Sequence, residues 1–186
     1  MTLLILGLIL WVAAHSFKRV APGARQALQD RMGDASKAVF AVLLLASVAL
    51  MVTGFRGAEA EYFWDRSAAT TGINNLMMLV AVALYGVGNS KSRLRARMRH
   101  PMLWGTVVWA AAHLLVNGDS ASIVLFGGMA LWALAEMALI NRAVPDYVPW
   151  KGGSVAGDVR LGVISLVVLA VIAGIHTWLG YPPFGG

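Results

Sequence analysis

Two of the four histidines stand four residues behind a tryptophan with small residues between, as Trp11-Val-Ala-Ala-His15 and Trp109-Ala-Ala-Ala-His113. On a helix that spacing puts the indole and the imidazole on one face. An imidazole nitrogen, small residues where a flat ring can lie, and aromatic walls are what a porphyrin needs for an axial bond to its iron. The other two histidines, reserve candidates for the same bond, also have plainer readings. His100, between Arg99 and Pro101, suits an interfacial helix start, and His176 can hydrogen-bond a neighbouring carbonyl. The echo around His15 and His113 does not establish an internal repeat, because Trp and Ala are common in this chain and the match is short.

The elements that must hold these side chains are membrane spans. Of 186 residues, 59% are hydrophobic and 13% charged, and the mean hydropathy is +0.70. Apolar runs at Met1 to Phe17, Ser36 to Phe55, Gly72 to Gly88, Pro101 to Asn117, Ser120 to Ile140 and Arg160 to Tyr181 predict helices. A soluble core or a secreted precursor does not produce six of them. The expectation is an all-α polytopic membrane helix bundle of about six transmembrane helices, one integral membrane domain over residues 1–186. Lys18 and Arg19 follow the first run instead of preceding it, the reverse of a signal peptide, so that run is expected to stay as a span. With no cysteine, disulfides, thiolate ligands, Fe–S clusters and cysteine nucleophiles are excluded.

Loop charges set the direction. Lys18, Arg19, Arg25, Arg31 and Lys37 follow span one, and Lys91, Arg93, Arg95, Arg97 and Arg99 separate spans three and four, which places both loops inside. Arg142, Lys151 and Arg160 put the fifth loop inside as well. The loop holding Glu59, Glu61 and Asp65 and the turn Asn117-Gly118-Asp119 belong outside, as do both termini. In a bacterium this is a multi-pass protein of the inner membrane with a periplasmic outer side. The segment Ala143 to Asp158, with Tyr147 and Trp150, reads as an interfacial loop. The net charge of +6 falls in juxtamembrane loops, where topology and anionic lipid account for it, so lipid is the expected partner and nucleic acid is not.

At 1.5 Å per residue, His15 lies ~21 Å from the outer start of its span and His113 ~18 Å from the inner start of its own. Depth therefore favours pairing His15 with His100 and His113 with His176, while a tilted ring between His15 and His113 stays open. A zinc or di-iron site lacks its usual Glu-x-x-His and acidic ligands. Glu136 is the one acid at span depth. It is expected to snorkel or to pair with Arg142 or a loop arginine, with orienting a histidine or carrying a proton as the other choice.

The stretch RHPMLWG from Arg99 to Gly105, then WAAAHLLVNGDSASIVLFGGMALWA from Trp109 to Ala133, with AHS at Ala14 to Ser16, resembles the NnrU family over most of the chain. That family is associated with denitrification and nitric oxide metabolism and is related to 15-cis-zeta-carotene isomerase, a membrane enzyme that uses haem b. The resemblance implies haem b, with His15 and His113 as axial candidates, Trp11 and Trp109 as pocket walls, and a hydrophobic small molecule or nitric oxide as the ligand. Plant isomerases carry Cys just after the Trp where this chain has Ala110, so a Cys/His ligand exchange is impossible here.

Two other classes stay open. Arg-His-Pro followed by an aromatic and Gly is also similar to membrane methyltransferases of the isoprenylcysteine type, which bind S-adenosylmethionine. Leu103 stands here where they carry Tyr. A non-catalytic bundle that assists assembly or supply of a respiratory complex uses the same residues structurally.

Overall fold

The computed structural model describes residues 1–184. Its elements are α1 (Thr2–Val20), α2 (Pro22–Met32), α3 (Ala35–Arg56), β1 (Tyr62–Trp64), α4 (Ala68–Val87), α5 (Pro101–Val116), β2 (Gly118–Asp119), α6 (Ser120–Ala143) and α7 (Val155–Trp178). Helices α1, α3, α4, α6 and α7 are long and apolar enough to cross a membrane. The sixth expected span, α5, is apolar but has only 16 residues, a rise of ~24 Å against a hydrocarbon core of ~30 Å. The all-α membrane bundle is therefore observed, with one short member. Several helices also reach beyond their apolar runs, because capped polar first turns are helical too. Ser67 and Thr70 form a capping box at α4, and Ser154 caps α7 through Gly157 N–H at 3.0 Å.

Helix α2 lies in the first basic loop, where no helix was expected. Pro22 presets its first turn and Gly33, at φ 55°, ends it in the left-handed region that a side chain resists. It is fastened by polar contacts: Ser36 donates to Gln29 Oε1 at 2.6 Å, and the Arg25 guanidinium lies 4.9 Å from the Phe40 ring centroid.

The helices gather into two compact units. The first comprises Met1–Phe63 and Asp119–Pro145, and so holds α1, α2, α3 and α6. Helices α1 and α3 run antiparallel in close backbone contact at Gly7 and Gly54. Helices α1 and α6 run parallel, since Leu8 meets Gly128, Trp11 meets Trp132 and Ser16 meets Glu136 at a near-constant offset. That shared direction is what the loop charges require of spans one and five. Asp119 caps α6, accepting from Ser122 N–H at 2.8 Å and Ser122 Oγ at 2.6 Å. A π-helical turn at Ile123–Gly127 follows, after which Met129, Trp132, Ala133, Glu136 and Met137 form the buried face.

The second unit comprises Trp64–Gly118 and the chain from Asp146 on, with α4, α5 and α7. Helices α4 and α5 are antiparallel: Gly105 sits on Ala81, Leu84 and Tyr85, and Pro101 is opposite Gly88. Helices α4 and α7 are antiparallel too, through Gly86 with Leu161 and through Asn75 Nδ2 donating to the Pro183 carbonyl at 3.0 Å.

Connections assigned to one side of the membrane meet. In the first unit Ser120 N–H donates to the Glu61 carbonyl at 2.9 Å, joining two outer connections. In the second, the two inner loops are laced together. Asp158 accepts from Ser92 Oγ at 2.7 Å, Arg93 N–H at 2.8 Å and Arg93 Nε at 2.5 Å, while Trp150 and Tyr147 lie under the guanidinium groups of Arg95 and Arg99 at 4.7 and 4.8 Å. The interfacial aromatics are thus cation partners. Replacing Asp158 by Ala removes three hydrogen bonds at once, and trypsin should then cut at Arg93, Arg95 or Arg97 several-fold faster, as timed on gels of detergent-solubilised protein.

Candidate functional site

Chemistry-bearing side chains collect at one place in each unit. In the first, Trp11, His15 and Ser16 lie on the inner-half face of α1 that meets α6, since residues at i, i+4 and i+5 share a broad helical face. His15 packs on both tryptophans, with ring centroids 4.1 Å from Trp11 and 4.8 Å from Trp132, and the two indoles stand edge to face at 5.3 Å. The His15 Nδ1–H donates to the Trp11 carbonyl at 3.1 Å, which leaves the lone pair on Nε2.

Glu136 overturns the favoured expectation. It neither snorkels nor pairs with Arg142: it is 7% exposed, accepts from Ser16 Oγ at 3.0 Å and lies within electrostatic reach of His15. The parallel register of α1 and α6 explains this, because it sets Ser16 one turn below Trp11 directly against the carboxyl. A hydroxyl donor in the same helix pair satisfies the acid without a cation.

In the second unit Trp109 and His113 have ring centroids 5.0 Å apart, and the His113 Nδ1–H donates to the Trp109 carbonyl at 2.9 Å. His176 repeats the device, donating to the Ile172 carbonyl at 2.8 Å. His113 and His176 are within electrostatic reach of one another, the pairing that depth favoured. Continuing the α4–α5 and α4–α7 registers brings both level with Thr71 and Asn74, two buried polar residues with an atom each, Oγ1 and Oδ1, that has no hydrogen-bond partner. His100 is elsewhere. It is the N-cap of α5, 13 residues before His113 and so ~20 Å away along the helix.

Sequence reasoning missed Trp132, Ser16, Thr71 and Asn74 as site residues. A signal for the first existed: Trp132 and Glu136 repeat the four-residue spacing of the two Trp–His pairs. An apolar groove of about 620 Å³, lined by Trp64, Asp65, Thr70, Ala111, Leu114 and Leu115, also lies in the second unit. At 100° per residue those three α5 positions centre about 150° away from His113, so the groove opens on the other face of the helix.

Apolar helices that carry imidazole and carboxyl groups at span depth define a polytopic membrane protein with a polar interior. Comparison gives its particular kind: residues 3–183 match the NnrU protein family, and the chain belongs to that family. A UPF0344 protein of Bacillus velezensis is 27% identical over 114 residues, covering 59% of this chain and 89% of that protein. No solved structure matches the chain.

Proposed function

We propose that this NnrU protein binds haem b in a bacterial cytoplasmic membrane, with His15 in the first unit and His113 in the second each a candidate iron ligand, and with Trp11 and Trp109 as the walls beside them. The observation that carries this reading is an Nδ1–H bond to the carbonyl one turn back, at 3.1 Å for His15 and 2.9 Å for His113, combined in both cases with an indole beside the imidazole at 4.1 and 5.0 Å. It fixes the tautomer and the ring orientation a ligating histidine requires. The donor set fits as well, because iron already held by a macrocycle asks for only one or two imidazoles.

Bound there, haem iron supplies a coordination position and one-electron redox chemistry. Nitric oxide handling is the first reading of its use. Cis–trans isomerisation of a polyene such as zeta-carotene is the second, favoured by the apolar groove, but that groove is turned away from His113. Detergent-purified protein, expressed with haem supply, should show a Soret band and a positive pyridine haemochrome assay. A colourless protein under those conditions overturns the assignment.

A further inference from the structure

Three buried N–H groups in the first unit have no acceptor: Trp11 Nε1, Trp132 Nε1 and, one turn beyond His15, Arg19 Nε. A buried donor without a partner is costly, and native structures leave few of them. Trp132 is 8% exposed, so its N–H is withdrawn from bulk solvent. The two indoles stand on neighbouring helices in edge-to-face contact. One turn further along α6, a backbone rise of ~6 Å, is Glu136, whose carboxyl accepts from Ser16. The cluster therefore has N–H donors, a carboxyl one turn along that accepts or donates according to its proton, and beside them the packed rings of Trp11, His15 and Trp132.

We propose that Trp11, Trp132 and Glu136 bind the head group of a lipid-soluble benzoquinone. The indole N–H groups meet one ring oxygen, and Glu136 with Ser16 meets the oxygen para to it. One ring oxygen accepts from the indoles as the quinone carbonyl or as the hydroquinone hydroxyl, while the far oxygen accepts from a protonated carboxyl when oxidised and donates to an ionised one when reduced. The three rings offer the stacking surface that a planar head group takes. The site lies wholly within one helix pair of the first unit and does not depend on haem, which would use His15 Nε2 instead.

The test is binding of decyl-benzoquinone to the full chain in nanodiscs, measured by equilibrium dialysis, with decylbenzene as the oxygen-free probe. The parent protein should prefer the quinone, and Trp11→Phe, Trp132→Phe and Glu136→Leu should each raise its Kd about five- to tenfold, one hydrogen bond's worth. Trp178→Phe, at a residue 84% exposed, should change nothing. Equal binding of decylbenzene, or an unchanged Kd in all three variants, overturns the proposal. Haem content of the same preparations separates the two readings. Quinone binding without pigment removes only the haem assignment, and pigment with a substitution-insensitive quinone Kd removes only this one.

Discussion

Gly54→Ala is expected to cost about 2 to 3 kcal/mol, or roughly 5 to 10 °C of melting temperature in detergent, although it adds a single methyl. A Cβ at Gly54 would overlap the Leu4 backbone nitrogen and fall 2.7 Å from the Leu3 carbonyl carbon. Both atoms belong to a helix backbone, so no rotamer change relieves the overlap. Gly7, whose Cβ would fall 2.7 Å from Met51 N, makes the reciprocal approach. In hydrocarbon, where the hydrophobic effect does not drive helices together, such small-residue contacts supply much of the association energy. Gly162→Ala is the control: nothing lies within 4 Å of its Cβ, and helix propensity there favours Ala by about 1 kcal/mol. Thermal melts followed by circular dichroism should show Gly54→Ala falling while Gly162→Ala holds or rises. Equal behaviour of the two would mean that α1 and α3 do not approach as described.

Much of the fold was legible because one physical rule dominates it. Backbone polar groups in lipid must pair within their own segment, so each apolar run has to be a helix. The basic loops gave directions, and the parallel course of α1 and α6 agrees with them. What escaped is governed by other physics. Helix α2 has an unremarkable polar composition and owes its bounds to Pro22 and Gly33, with Ser36 and Phe40 supplying the fastening. The shortness of α5 follows from Asn117, whose Nδ2 turns back to the His113 carbonyl at 2.8 Å and closes the helix there.

The site was half legible. Polarity at span depth marked His15, His113 and Glu136, since such residues are kept in hydrocarbon only with partners. Their partners were not readable, because Ser16 and Glu136 are 120 positions apart and meet only through the parallel packing of α1 and α6. Arg142 was the near choice in sequence, six residues on, but that spacing puts it on another helical face from Glu136. Depth alone did anticipate that His113 and His176 come within reach of each other.

Ligand loss and fold loss can be separated at the histidines, and the expected effect there is the largest on function. His15→Ala and His113→Ala should each weaken haem retention by at least about tenfold, more than a change in a supporting group, because the iron bond itself is removed. The cost to the fold should be small in comparison. The hydrogen bonds from His15 to the Trp11 carbonyl and from His113 to the Trp109 carbonyl run within their own helices, so Ala does not remove either bond from between two helices. Free imidazole added to the purified variants should enter the space vacated and restore the Soret band, which no loss of folding allows. His100→Ala, ~20 Å along α5 from His113, should keep full pigment. His176→Ala tests the reserve: if it loses the pigment while His113→Ala keeps it, the axial role in the second unit moves to α7. If all four variants stay fully pigmented, none of these imidazoles holds iron and the haem assignment falls with them.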